Sequence, residues 1–480
     1  MTRLLHRSLR TGLAVLFAGS MLSGCMMAGN DYQRPDLGLP PVQAVAVPQS
    51  TATSIANVAW FDLYGDPQLQ QLVREALADN LNLQMALARV EEAQGQMRVA
   101  RSALFPALSG SRGTTASPQA NSNDSNFSLG LIFNWQIDLF GRLRRMSEAS
   151  RANWLASEAG RNAVVSQLVT QVATTWFTIR ELRREELIVR SNIEIQSNSL
   201  KLVQALHRQG VVSDAEEQQA VSQLASTEAS LPQLIQSRLV QENILAMLVG
   251  GYPEAKPDAA PAGAAGLIYQ SLPLGVPSDL LARRPDVIAA EEQLHAATAL
   301  KGAAMANRFP FPTIGLTALF GRSSSELGNL FSSGSSVALN SWGPTAALPI
   351  LNFGRDAGNV DIASAQAKQA LIGYRMTVQN ALFEVNQAAY SLNAAQEQIA
   401  PLERQSASAQ RLLALQQMRF RAGVSSYLEL LDAQRQLLGT QLGVSRAQLS
   451  RDLAVLSLYQ AVGGGWSDEG VAKAEPTTGQ

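Results

Sequence analysis

One unit is written twice in this chain, and that constrains the fold more than any other feature. Phe140-Gly141-Arg142 recurs 213 residues later as Phe353-Gly354-Arg355. The same offset pairs Gly210-Val211 with Gly423-Val424, Glu216 with Glu429, Ala220 with Ala433, Gln223-Leu224 with Gln436-Leu437, and Val249-Gly250-Gly251 with Val462-Gly463-Gly464. An offset held without a gap over about 110 residues marks a tandem duplication. An earlier block, Phe105-Pro106, returns as Phe309-Pro310 at a slightly shorter offset, and the difference falls in a Ser/Gly-rich insertion near residues 322–336.

Each unit reads as a helix, a strand pair, a very long helix, a short turn and a further helix. Leu69, Leu72, Val73, Ala76 and Leu77 form an amphipathic stripe with Pro67 near its start, and this helix is expected to run on to Phe105-Pro106. No strong breaker occurs between Arg142 and His207, nor between Arg355 and Phe420 apart from Pro401, where a local kink is expected. Roughly 65 residues at 1.5 Å each is on the order of 100 Å, longer than any compact domain needs. Leu371, Tyr374, Val378, Leu382 and Val385 make a narrow coiled-coil-like seam.

Between the helices the period changes to two. Phe127, Leu129, Leu131, Phe133, Trp135 and Ile137 alternate with small or polar residues, Ile132 excepted. Alternation over about a dozen residues is the pattern of a transmembrane β-strand, lipid on one face and water on the other. An ordinary half-buried strand alternates too, but is shorter. Ile314, Leu316, Ala318 and Phe320 share one parity, as do Trp342, Ala346, Leu348 and Ile350, while residues 108–115 carry a weak strand signal. Residues 118–126 and 321–336 suit long external loops. Four strands cannot close a barrel, and an open edge in lipid is prohibitively costly. Two copies supply eight strands and three supply twelve; twelve leaves a usable lumen and favours a homotrimer.

The start of the chain reads as export. Arg3, Arg7 and Arg10 precede an apolar run, Leu13 to Leu22, too short for a membrane helix. Leu22-Ser23-Gly24-Cys25 follows as a lipobox, in which Cys25 receives an N-acyl diacylglycerol; Cys25 is the sole cysteine, so no disulfide framework competes for it. Met26 rather than Asp follows it, which favours sorting to the bacterial outer membrane. The segments expected are a signal peptide (1–24), a lipidated extended segment (25–58), a first repeat (59–249), a connection (250–277), a second repeat (278–464) and a disordered tail (465–480). Only 16% of residues are charged and the net charge is −1, so nothing points to nucleic acid. After the signal no apolar run spans a bilayer as a helix, which leaves a β-barrel as the spanning structure. His6 lies in the signal, and His207 and His295 are isolated, so neither a zinc site nor a catalytic constellation is expected and the chain does not read as an enzyme.

Three strings carry a family resemblance: Trp60-Phe61 with Gly65-Asp66-Pro67 and Leu69; Arg283-Arg284-Pro285-Asp286 with Ala290-Glu291 and Phe309-Pro310; and Leu430-Leu431-Asp432-Ala433-Gln434-Arg435 after Gly423. Together they resemble the outer-membrane efflux proteins of the TolC type, in the lipidated NodT branch, over nearly the whole mature chain. The resemblance implies a mainly α protein with a membrane β-barrel portion. Its duplicated helical hairpins would form a trimeric α-barrel crossing the periplasm beneath a twelve-stranded β-barrel, four strands per protomer. It also implies a periplasmic adaptor and an inner-membrane pump, commonly of the resistance-nodulation-division (RND) class, as partners. The function implied is an exit duct passively conducting what the pump delivers. A type I secretion duct and a non-conducting periplasmic coiled coil are the alternatives.

In that frame the turns at Arg208, Gly210 and Val211 and at Arg421, Gly423 and Val424 are adaptor-contacting tips, with Gly supplying the positive φ of a reversal. The positions matching Leu428, Glu429, Asp432 and Arg435 form the periplasmic gate. Glu429, Asp432 and Arg435 follow one another at steps of three, so neighbouring pairs are able to meet on a helix. Asp432 matches Gln219 in the first repeat and Arg435 matches Ser222, so the gate charges belong mainly to the second repeat.

Overall fold

The computed structural model describes residues 27–38, 65–116, 125–252, 283–308, 312–332, 335–348 and 350–464. In chain order they form α1 (Pro67–Asp79), α2 (Leu81–Ser102), β1 (Ala107–Ala116), β2 (Ser125–Ile137), α3 (Arg142–Arg208), α4 (Asp214–Leu248), α5 (Pro285–Ala306), β3 (Thr313–Ser324), β4 (Val337–Ala347), α6 (Arg355–Arg421) and α7 (Tyr427–Ala461). The signal segment, Cys25, Trp60-Phe61, most of the expected connection and the expected tail lie outside the described residues.

The duplication is visible element by element. Helices α3 and α6 each have 67 residues, α4 and α7 each have 35, and α2 and α5 each have 22. At 1.5 Å per residue, α3 and α6 each measure about 100 Å. The glycines at the helix junctions repeat as well: Gly141 with Gly354, Gly210 with Gly423 and Gly250 with Gly463 all hold φ between 72° and 90°.

The local structure departs from the sequence expectation in three places. The first helix is broken: Asn80 is extended (φ −66°, ψ 124°), and its Oδ1 accepts from the backbone N–H groups of Asn82 (3.0 Å) and Leu83 (3.1 Å). Its Nδ2 donates to the Leu248 carbonyl at 2.8 Å. A side-chain cap thus ends α1 and starts α2, a local competition that hydrophobic periodicity does not report. Strand β3 runs to Ser324, beyond the expected loop boundary, and a 3-10 turn (Leu327–Asn329) follows. Strand β4 stops at Ala347, leaving Leu348 and Ile350 outside it despite their parity. Assigned helix is unbroken across Pro401 in α6 and across Pro232 in α4.

The chain divides into two compact units. The first comprises residues up to 38, 88–158 and 289–376; it holds the sheet, and its helices meet through Ala149, Ala152, Ala296 and Ala299, small side chains that allow close approach. The second comprises 39–87, 159–288 and residues from 377. It has two apolar clusters, one around Leu69, Val169, Trp176, Leu392 and Tyr459, the other around Val203, Leu413, Phe420, Tyr427 and Leu430. Between them α3 faces its neighbours with polar groups: Glu185 accepts from Arg446 (2.6 Å), Glu186 from Arg238 (2.7 Å), and Asn192 pairs with Gln441 (3.0 Å).

Candidate channel-forming site

The four strands pair antiparallel in the order β1-β2-β3-β4. The register sets Leu131 between Gly110 and Phe320, Phe133 between Leu108 and Ala318, Trp135 against Leu316 and Ile137 against Ile314. On β4, Trp342 lies opposite Ala318. Directly opposed residues share a face, so Phe127, Leu129, Leu131, Phe133, Trp135 and Ile137 stand on one apolar face with these partners. That face is not a core: Leu131 is 50% exposed and Trp342 78%. Among the described residues the outer edges of β1 and β4 have no strand partner. No described helix is long and apolar enough to cross a membrane.

In the second unit, both hairpin turns are closed by the same cap. The Gly210 N–H donates to the His207 carbonyl (2.8 Å) and the Val211 N–H to the Leu206 carbonyl (3.0 Å). At the other turn Gly423 donates to Phe420 (3.0 Å) and Val424 to Arg419 (3.0 Å). This crossed pair of bonds around a positive-φ glycine is the Schellman motif. It leaves Arg208, Val211, Arg421 and Val424 exposed at the turns.

The gate candidates occupy one face at the start of α7. Leu428, Glu429, Asp432 and Arg435 are exposed, while Tyr427, Leu430, Leu431 and Gln434 are buried in the hairpin. Burial pushes the Tyr427 phenol up to about 12, against a lowering from Arg435. Gln434 anchors the helix by donating to Ser199 Oγ at 2.7 Å. The expected meeting of Arg435 with Asp432 along the helix does not occur: Arg435 Nε donates to Gln223 Oε1 of α4 at 2.6 Å. Glu429 and Asp432 bond to no other described side chain, so their carboxylates face outward from this hairpin.

The other motif residues hold the fold together. Asp66 caps α1, accepting from the Gln68 N–H (2.9 Å), and its second oxygen accepts from Trp176 Nε1 (3.1 Å). Arg284, buried, donates to the Ala461 carbonyl (2.9 Å) and to Asp286 and Glu384 (2.7 Å each). His207 pairs with Glu217 at the first turn, and His295 lies between Glu148 (3.1 Å) and Glu292 (3.3 Å). Among the described residues no cluster of His, Cys, Asp and Glu suits a metal ion. Sequence reading missed Arg145, a charged side chain buried in the first unit. Its signal was present in the duplication itself, because the position 213 residues later is Gly358.

A four-stranded sheet with an apolar outer face and two open edges, combined with paired helices of 67 and 35 residues, defines a subunit of an outer-membrane channel. The family model described as outer membrane efflux protein matches residues 72–251 and 276–464. The cation efflux system protein CusC of Escherichia coli O6:H1 is 34% identical over 93% of this chain and 96% of its own length. The probable outer membrane lipoprotein SilC of Salmonella typhimurium is 32% identical over 93% and 97%. The open-state crystal structure of the MtrE outer membrane channel of Neisseria gonorrhoeae superposes with a TM-score of 0.81 at 29% identity, over 92% of this chain and 99% of that one. The chain belongs to the outer membrane efflux protein family. It is an outer-membrane efflux component that extends into the periplasm, and the family and its solved neighbours are channels rather than enzymes.

Proposed function

We propose that three copies of this chain form the exit duct of a tripartite efflux pump. The duct passively conducts substrates handed over by an RND-class inner-membrane transporter and a periplasmic adaptor. The observation that carries the reading is the sheet: β1 and β4 have open edges on an apolar-faced sheet, which only further copies can close in lipid. Val211 and Val424, exposed at the two hairpin turns, supply the adaptor contact. Leu428, Glu429, Asp432 and Arg435 line the periplasmic constriction, where a threefold ring of carboxylates favours cations and opposes anions. Cys25 carries the N-acyl diacylglycerol, a reading supported by the lipobox and by the description of the similar SilC as a probable lipoprotein.

The test is electrical. Purified trimer, recognised by a heat-dependent shift in gel mobility, is expected to give discrete conductance steps in a planar bilayer. A trimer that inserts and never conducts would favour a structural strut instead.

A further inference from the structure

The first unit contains a groove that the duplication ought to have supplied twice, yet only one copy is shaped to be filled. Its occupant is the N-terminal segment. The Ala28 N–H donates to the Phe140 carbonyl at 3.0 Å, at the junction of β2 with α3. Arg145, 1% exposed, donates to the carbonyls of Ala28 (3.3 Å) and Gly29 (3.2 Å), to Asp31 Oδ1 (2.7 Å) and to Glu148 (2.8 Å). Tyr32 stacks on His295, ring centroids 4.7 Å apart, and its hydroxyl donates to Glu291 at 3.2 Å. Arg34 makes a two-pronged pair with the same Glu291 at 2.7 and 2.5 Å. Gly29 lies so close to Gly302 that a Cβ on Gly29 would stand 2.7 Å from the Gly302 Cα.

The matching positions in the other half lack this equipment. Arg145 corresponds to Gly358 at the offset of the long helices, while His295 corresponds to Glu91 and Gly302 to Arg98 at the offset that superposes α2 on α5. The matching positions therefore supply no guanidinium to cap a segment's carbonyls, no ring for a Tyr32-like stack, and a long side chain in place of Gly302. A pseudo-symmetric pair in which one member alone has been rebuilt around an occupant marks that member as a binding site.

We infer that this groove is a latch for the chain's own N-terminal segment, with Arg145 as its positioning residue, and that it fixes the membrane anchor at the foot of the sheet. Met27 lies two chain steps from Cys25, at most about 7 Å of extended chain. A lipid on Cys25 is then held at the strand–helix junction instead of trailing on a free leash. The anchoring half of this inference rests on the lipidation proposed above; the latch does not.

The test uses the full chain in membranes, with a spin label on Asn30→Cys beside the segment and, as reference, on Glu91→Cys in the other half. The label at 30 is expected to be motionally restricted, and Arg145→Ala is expected to shorten its rotational correlation time roughly threefold. The same change should speed proteinase K cleavage between residues 28 and 38 roughly tenfold. The Glu91 label and a Gly358→Ala control should not respond. If Arg145→Ala does not assemble, Gly302→Leu obstructs the groove sterically and should free the label equally. A label at 30 already mobile in the parent chain overturns the latch. The mass of the N-terminal peptide decides separately on the anchor: an unmodified Cys25 removes the anchoring role, while the label still decides the latch.

Discussion

The two hairpin tips share one backbone and differ in what holds them. Both place glycine at φ 72°, both close with the same crossed hydrogen bonds, and both join a 67-residue helix to a 35-residue one. At the first tip His207 pairs with Glu217, and the capping residue Ser213 donates its N–H to Glu216 at 2.8 Å. At the second tip the matching positions are Phe420 and Leu430, and Phe420 meets Tyr427 edge-on at 5.8 Å inside an apolar cluster. Turn geometry is a backbone property that one glycine secures, so it survived duplication. The packing around it diverged, leaving the first tip latched by polar pairs and the second by burial. With its inner side committed to apolar packing, the second tip presents the carboxylates of Glu429 and Asp432 outward.

The largest effect that would break this contrast is expected from Tyr427→Ala. Removing a buried aromatic costs roughly 3–5 kcal/mol, so amide exchange over residues 420–431 should accelerate sharply. Asp214→Ala, at the exposed matching position, should leave residues 207–218 nearly unchanged; equal responses would mean the tips are held alike. Next, Gly423→Val and Gly210→Val each force a β-branched residue into positive φ, at about 1–2 kcal/mol. Local exchange should rise by the same factor at both tips, and a marked inequality would show that the caps are not equivalent. Third, Asp432→Ala should raise single-channel conductance while Gln219→Ala does not; unchanged conductance in Asp432→Ala sinks the assignment of the constriction to the second repeat.

The smallest effect concerns Glu181 on α3, between the two apolar clusters, where the second repeat has Ala394. Burial raises the Glu181 carboxyl above its ordinary value of 4.5, against the nearby Ser445 hydroxyl and the charge of Arg184. The folded chain therefore keeps a proton that the unfolded chain releases first. The stabilisation is complete below the ordinary carboxylate range and is lost as pH rises through the raised value. Glu181→Gln should raise thermal stability at neutral pH, and the gain should vanish in acid; a gain independent of pH would show that charge burial is not its source.

Much of the architecture was legible in the residues because it is periodic or repeated. Alternation from Phe127 to Ile137 identified β2, and a breaker-free run from Arg142 predicted α3 to within a residue or so. The break at Asn80 was not legible, because a capping side chain competes with helix continuation only where the Leu248 carbonyl is brought beside it. Strand β4 stopped short at Ala347 for want of a pairing partner beyond Thr313, where its neighbour begins. At the start of α7, spacing alone allowed an Asp432–Arg435 pair, yet Arg435 turns to Gln223 across the hairpin.

By itself the sequence determined that the chain is duplicated, that its helices are long, that its strands have one apolar face, and that glycine reverses the chain at residues 210 and 423. These are properties of local periodicity and backbone freedom, written within a few residues of one another. Only the tertiary structure decided where the N-terminal segment docks, which tip is cemented by aromatics, and where Arg435 and the buried Arg145 find their partners. Apart from the Phe420–Tyr427 contact, those choices depend on groups that lie 114 to 259 positions apart in the chain and within about 3 Å in space, and no local pattern records such a meeting.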